Sequence, residues 1–245
     1  MRALAPFWRY YGGKWRAAPR YPRPAYDLIV EPFAGAAGYA CRYPERDVLL
    51  IDADPVICGI WRWLIGATAD DVLAVSDVPD GGTTADIDAP PAARDLVGFW
   101  SNPGTATPRK RRSAWAALNT RSAANGSWAG WPLARERIAQ QVHRIRHWRV
   151  QLGSYDIAPD VEVTWFVDPP YQTAAGRHYR QQVADYAALG GWCDTRSGQV
   201  IACDQQGSNW RPWTAEIGIK GRRGRSAEVY WHRNDRQLAM FGGDR

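Results

Sequence analysis

The chain has 245 residues, 45% of them apolar and 23% charged, a balance that excludes intrinsic disorder and leaves room for a sizeable core. No uninterrupted apolar run approaches the roughly 20 residues a membrane-spanning helix requires, and residues 1–15 carry charge without the apolar run of a secretory signal. The net charge is +6, but residues 107–150 hold ten basic side chains against one acid, so that segment is +9 and the remainder −3.

A basic segment on a slightly acidic body is the electrostatic footprint of a polyanion binder. Arginine outnumbers lysine 28 to 3, so part of this charge reflects an arginine habit. Cys41, Cys58, Cys193 and Cys203 are scattered without a Cys-x-x-Cys pair. That argues against a zinc ribbon or a disulfide framework and fits a reducing cytoplasm.

The first 24 residues carry six basic groups and no acid. Asp27-Leu-Ile-Val-Glu-Pro32 then reads as a buried strand ending at the proline. Phe33-Ala-Gly-Ala-Ala-Gly38 is a small-residue turn leading into a helix to about Tyr43. Asp47-Val-Leu-Leu-Ile-Asp52 is a second buried strand, and Pro55 opens a helix through about Ile65. This strand–turn–helix–strand–helix order predicts an α/β, doubly wound, Rossmann-like sheet. Residues 68–108 read as a long loop, with at most one strand. Residues 109–118 read as helix, 119–131 as a loop or hairpin, and 133–149 as a helix with Ile138, Val142 and Ile145 on one face. Val161–Val167 is a strand, and further strands fall at 199–203, 215–220 and 227–232. The division predicted is a catalytic domain of residues 1–67 and 161–245, interrupted by a basic, mostly helical recognition insert over 68–160.

Two motifs carry chemistry. In the first, Gly35 and Gly38 let a ligand approach the backbone, and Asp52 ends the following strand, where its carboxylate can accept hydrogen bonds from two ribose hydroxyls. The full G-x-G-x-x-G spacing is missing, which disfavours a dinucleotide. A tight turn with a helix-capping Asp52 is the bland alternative. In the second, Asp168-Pro-Pro-Tyr171 follows a buried strand. The Asp168 carboxylate and the Pro169 carbonyl can accept hydrogen bonds from an amino group, and Tyr171 offers a stacking face for a planar base.

Asp168-Pro-Pro-Tyr171 together with Glu31-Pro-Phe-Ala-Gly35 resembles the S-adenosylmethionine-dependent DNA adenine-N6 methyltransferases of the Dam type. Tyr10-Tyr-Gly-Gly-Lys14-Trp15 resembles that family's opening element. The order of Gly-Gly-Lys, cofactor turn, recognition insert and Asp-Pro-Pro-Tyr matches as well. The resemblance implies a bound S-adenosylmethionine contacted by Tyr10, Lys14, Phe33, Gly35, Asp52 and Asp168, with Lys14 near its carboxylate. It implies catalysis by Asp168, Pro169 and Tyr171 on an adenine flipped out of double-stranded DNA. The DNA contacts expected are Arg109, Arg111, Arg112, Asn119, Arg121 and Trp128. Where the family has an arginine that helps read guanine, Gly126-Ser-Trp-Ala-Gly130 has none, which leaves site-specific and weakly specific recognition both open. Cytosine-N4 enzymes of this kind carry Ser before the Pro-Pro pair, so Asp168 favours adenine. RNA remains an alternative substrate, and a catalytically silent DNA-binding relative would be expected to lose Lys14, Asp52 and Asp168. His143 and His147 are four residues apart but have no acidic or cysteine partner nearby, so no metal site is expected.

Overall fold

The computed structural model describes residues 2–113, 130–221 and 224–235. Its architecture is α/β: a seven-stranded mixed sheet flanked by helices on both faces, compatible with a Rossmann-like fold. The strands are β1 (Leu28–Glu31), β2 (Asp47–Asp52), β3 (Arg149–Leu152), β4 (Val163–Val167), β5 (Gly198–Gln205), β6 (Ala215–Gly221) and β7 (Gly224–Asn234), in the spatial order β3-β2-β1-β4-β5-β7-β6. The first five run parallel; β7 pairs antiparallel with both β5 and β6. The order of strands reverses between β1 and β4, with β2 and β3 to one side and β5 to the other. In open α/β sheets the crevice beyond the carboxyl ends of the strands at such a reversal is where ligands bind.

The α-helices among the described residues are α1 (Pro55–Gly66), α2 (Ala69–Ala74), α3 (Pro91–Ser101), α4 (Trp131–Ala139) and α5 (Tyr186–Thr195). Alternation along the strands divides the core in two. Ile29, Leu50, Phe166 and Ile201 face α1, α3 and α4. Val30, Leu49, Trp165, Val167 and Val200 face α5. Burial on both faces explains why β1, β2 and β4 read as continuous apolar runs.

The expected strands and the Pro55 helix are present, but the middle of the chain differs from its reading. The 68–108 stretch holds two helices: α2, capped by Thr68 through its bond from the Asp71 amide, and α3, which opens at Pro91 without a side-chain cap. Their apolar residues are spaced among Pro, Asp and Gly that read as loop signals. Of the helix expected over 109–118, residues 109–113 are not helical and 114–118 lie outside the described residues, as does most of the loop expected over 119–131. The expected helix over 133–149 ends at Ala139, gives way to a short 3-10 turn at Val142–Ile145, and is followed by β3, the edge strand beside β2. Ile138, Val142 and Ile145 are nonetheless fully buried. The turn after Phe33 forms only a single 3-10 turn, Ala40–Arg42, where a helix was expected.

The described helices of the 68–139 region, α2, α3 and α4, pack into the core of the sheet. Trp61, Phe99, Trp100, Trp131 and Trp148 belong to the same cluster as Ile29 and Leu50. Arginines complete this packing. Arg112 pairs with Asp77 at 2.9 Å and bonds to the Val78 carbonyl, Arg135 donates to Val75 O at 3.2 Å, Arg146 to Ala67 O at 3.2 Å, and Arg144 to Arg2 O at 2.7 Å. The 108–109 backbone crosses α3 at Gly98, where a Cβ would lie 2.8 Å from Arg109 O. Gly98→Ala is therefore expected to push this crossing away and destabilise the protein by about 1–3 kcal/mol, the usual range for overpacking a tight contact; a chemical denaturation midpoint equal to wild type would show that 109–112 does not dock there.

Candidate active site

A cavity of about 300 Å³ opens beyond the carboxyl ends of β1, β2 and β4. Its lining brings together Tyr10, Lys14, Phe33, Gly35, Asp52 and Asp168, residues spread over 159 positions of sequence. Its volume is at the lower end of ordinary small-molecule sites.

The turn after β1 builds one wall. Gly35 has φ +43°, a left-handed conformation that costs glycine little. Its N–H donates to Asp52 Oδ2 at 2.9 Å, and its carbonyl accepts from Trp61 Nε1 at 2.8 Å. A Cβ on Gly35 would sit 3.1 Å from the Tyr10 ring, so the aromatic ring of the N-terminal loop is laid directly on the turn. Asp52 Oδ1 accepts a second backbone bond, from Asp54 N at 2.8 Å, while Asp54 caps α1 by accepting from Val56 N. Asp52 thus holds the turn and the start of α1 together. Burial pushes its carboxyl up to about 6 despite the two backbone donors that favour its charge. A carboxylate oxygen has two lone pairs, so each Asp52 oxygen retains capacity toward a ligand hydroxyl.

The opposite wall is a buried charge cluster. Lys14 sits in a 3-10 turn after Gly12-Gly13, its side chain only 1% exposed. Its ammonium lies 2.7 Å from Asp168 Oδ1 and 3.7 Å from Glu228 Oε1, and donates to Gly12 O at 2.8 Å and the Tyr171 hydroxyl at 3.2 Å. Burial works against the charge on Lys14, but Asp168 and Glu228 overcome it and hold its pKa well above the ordinary value. Glu228, on β7, also accepts from the Tyr21 hydroxyl at 2.6 Å. Asp168 is raised to about 6, first by burial and then by Glu228, with Lys14 opposing both. At 19% side-chain exposure against 1% for Lys14, Asp168 is the member of the pair that a ligand can reach.

The corner after β4 is held from outside. Asp204 on β5 accepts from Trp210 Nε1 at 2.7 Å and from Gln172 N at 3.4 Å, and the Tyr186 hydroxyl bonds to the Pro170 carbonyl. Pro170 lines the cavity, whereas Pro169 is buried. Tyr171 is 9% exposed, its ring face covered by the Lys14 ammonium at 4.8 Å and its edges by Tyr11 and Tyr179. The tyrosine expected as an open stacking platform is here packed against a cation.

Glu31, the last residue of β1, is fully enclosed and accepts from Ala40 N at 2.6 Å. Burial dominates over that hydrogen bond and pushes its carboxyl up to about 8. Glu31, Glu228, Tyr21 and Asp204 are not among the site residues expected from sequence. Only Glu31 carries a signal there, as an acid abutting the glycine turn.

A second cavity, of about 700 Å³, shares Tyr10, Gly13, Ala36 and Gly38 with the first. Arg9, Arg16 and Arg137 line it together with Trp8, Trp15 and Trp100, and no Asp or Glu does so among the described residues. Arg9 and Arg137 both lie over the Trp100 ring, at 5.9 and 5.1 Å. Of the DNA contacts expected from sequence, Arg109 and Arg111 are exposed, though Arg111 donates to Gly81 O at 2.9 Å. Arg112 is consumed by its ion pair with Asp77. Asn119, Arg121 and Trp128 lie outside the described residues. Among the described residues no three His, Cys, Asp or Glu are grouped to hold a metal, and no helix is long and apolar enough to cross a membrane. All four cysteines are buried and unbridged.

No protein-family model matches this chain, and a search of the curated proteins finds no match.

A carboxyl whose folded pKa is raised favours folding most when it is protonated. The penalty for ionising Glu31 therefore grows as pH rises from its unfolded value near 4.5 through about 8. Glu31→Gln preserves an acceptor for Ala40 N and removes that penalty. It is expected to raise stability by about 2–5 kcal/mol at pH 9 and to match wild type at pH 4. Thermal melts at the two pH values decide the point; an equal effect at both would mean that Glu31 is not held neutral.

Proposed function

We propose that this protein is an S-adenosylmethionine-dependent DNA methyltransferase that modifies the N6 amine of an adenine flipped out of the duplex. The observation that carries the reading is the convergence, in one cavity at the sheet's reversal point, of the glycine turn, Asp52, Lys14 and Asp168. These are the positions at which the sequence resembles the Dam-type family.

The residues present fit the cofactor's chemistry. Asp52, Asp54, Asp168 and Asp185 line the cavity against Lys14 and Arg180, and Glu31 is neutral below about pH 8. The lining is thus acidic overall, complementary to a cationic sulfonium. Asp52 would receive the ribose hydroxyls, and Phe33 and Gly35 would flank the nucleoside. Lys14 is committed to Asp168 and Glu228, which favours a role in orienting Asp168 over one as the partner of the cofactor carboxylate. S-adenosylmethionine, when bound, supplies an electrophilic methyl group on sulfur.

An adenine amine is a poor nucleophile because its lone pair is delocalised into the ring. A hydrogen bond to Asp168 favours a tetrahedral nitrogen and aims its lone pair. The work of the protein is then positioning and electrostatics. At neutral pH Asp168 is mostly ionised, since its pKa lies near 6, so it can accept that bond. The adjoining basic cavity supports a polyanion as the partner, because the exposed guanidinium groups of Arg9 and Arg16 can neutralise phosphates; Trp8 and Trp100 are buried and form its floor. Two neighbouring cavities of opposite charge suit a cationic cofactor and an anionic strand.

The direct test is transfer of labelled methyl from S-adenosylmethionine to duplex DNA, with RNA of the same sequence in parallel. Asp168→Asn is expected to lower the rate at least about a hundredfold while cofactor affinity, measured by calorimetry, survives. Asp52→Ala is expected to weaken cofactor binding by about 1–3 kcal/mol. Near-normal turnover by Asp168→Asn, or transfer to RNA alone, would overturn the reading.

Phosphate contacts are expected to lie at the basic cavity rather than at Arg112. Replacing Arg9 and Arg16 with Ala should flatten the log–log dependence of DNA affinity on salt by roughly 0.9 for each phosphate no longer neutralised. Arg112→Ala should leave that slope unchanged. A salt titration in which only Arg112→Ala flattens the slope would move the DNA to the 109–112 segment.

A further inference from the structure

We infer that Glu228 is a positioning residue for methyl transfer: it holds Lys14 against Asp168 and remains the lysine's counter-ion when Asp168 takes the proton released by the methylated amine. This inference rests on the proposed function and adds to the site a residue from β7, 60 positions beyond Asp168.

The cluster holds one cation and two carboxylates. Lys14 lies between them, 2.7 Å from Asp168 and 3.7 Å from Glu228. Glu228 is fixed from behind by the Tyr21 hydroxyl, which donates to its other oxygen at 2.6 Å. Tyr21 is itself wedged between Phe166 and Tyr230, both in edge-to-face contact at 5.3 and 5.4 Å. Neither Tyr21 nor Glu228 lines the cavity. Glu228 thus acts through Lys14 and not on a ligand.

The balance of the transfer shows why a second carboxylate is needed. The amine nitrogen forms the new N–C bond as the S–C bond of the sulfonium breaks, the bonding pair staying on sulfur. The nitrogen becomes positively charged and loses one proton to the Asp168 carboxylate. Asp168 is then a neutral acid, and without a further anion Lys14 would be a buried ammonium with no counter-charge, which is strongly unfavourable. Glu228 removes that cost, because Lys14 remains paired after Asp168 has been neutralised.

The other titratable groups facing Asp168 do not supply a substitute. Cys203 on β5 donates to Asp168 Oδ1 at 3.5 Å and has its pKa raised well above the ordinary value, by burial first. Tyr10, Tyr171 and Tyr179 are likewise held neutral by burial. Glu31 is neutral below about pH 8. Asp204 on β5 also feels the Lys14 charge, but it is engaged by Trp210 Nε1 and the Gln172 and Gln205 amides; among the described residues Glu228 is the carboxylate besides Asp168 within 4 Å of Lys14.

The test compares wild type with Glu228→Gln, Glu228→Asp and Tyr21→Phe. Glu228→Gln keeps the shape and an acceptor for Tyr21 but removes the charge. Two quantities are read against pH: the carboxyl-carbon NMR resonance of Asp168 in the free protein, and the single-turnover rate of methyl transfer to duplex DNA. Removing a negative neighbour favours the ionised form of Asp168. Both the resonance midpoint and the acid limb of the rate profile are expected to move down by about one pH unit in Glu228→Gln. Glu228→Asp should return both most of the way to wild type, and Tyr21→Phe, which leaves the Glu228 charge in place, should move both by much less. An NMR midpoint unchanged in Glu228→Gln would overturn the coupling itself. A shifted midpoint with a superimposable rate profile would overturn the positioning role. Absence of transfer by wild type would overturn the proposed function, and the positioning role with it, while the NMR result would still report the coupling.

Discussion

The buried ammonium of Lys14 is the constraint on which the site depends. A lysine taken out of water is tolerated only where opposite charge and acceptors surround it, and here they come from three separate parts of the chain. Gly12 lies in the N-terminal loop, Asp168 and Tyr171 follow β4, and Glu228 lies on β7. The ion cluster therefore ties the N-terminal segment to the sheet beside the reversal between β1 and β4. Once Lys14 is held there, Tyr10 is carried onto the Gly35 turn, and the wall between the two cavities is complete.

Much of this was legible in the sequence because it is local. Val30-Glu31 before a small-residue turn and Leu50-Ile51-Asp52 before Pro55 each announce a buried strand and what ends it. Asp168-Pro-Pro-Tyr171 announces a rigid corner. Residues that must be brought together across the fold were much less visible. Glu228 and Tyr21 meet over 207 positions, and nothing in the neighbourhood of either residue points to the other. β3 was hidden for a related reason. Arg149–Leu152 is an edge strand with mostly exposed residues, so it lacks the apolar run by which its parallel neighbours were recognised, and its pairing with β2 supplies the order that its own composition does not. Residues 68–108 read as loop because proline and aspartate count as breakers, whereas Pro91 opens a helix and Asp71 completes a capping box.

Net charge counts side chains without regard to the bonds they already make. Counting side chains put the positive density in 107–150, yet Arg112, Arg135, Arg144 and Arg146 each spend donors on carbonyls or an acid of the fold. Guanidinium groups serve well in this role because their fixed fork can satisfy carbonyls left over at helix ends and loops while the stem covers apolar surface. An arginine-rich composition thus contributes to cohesion as well as to surface potential. The arginines that line the second cavity, Arg9, Arg16 and Arg137, come mainly from the first sixteen residues.

This arrangement makes the N-terminal loop the joint between two opposite electrostatic environments. On one side of Tyr10 and Gly13 the lining is acidic and the carboxyls are pushed toward neutrality by burial. On the other side arginines crowd one tryptophan, and the Arg137 pKa is lowered, by burial first and then by Arg9. In the first cavity Lys14 and Arg180 offset part of the carboxyl charge, whereas in the second Arg9 disfavours the charge of Arg137, a cost that an anion would relieve. The two linings share Tyr10, Gly13, Ala36 and Gly38, so they meet across one loop. What couples them is mechanical: Lys14 anchors the loop to Asp168 at one end, and Trp8, Trp61 and Phe99 pack its other end into the core. The loop thereby fixes the position of the basic cavity relative to Asp168.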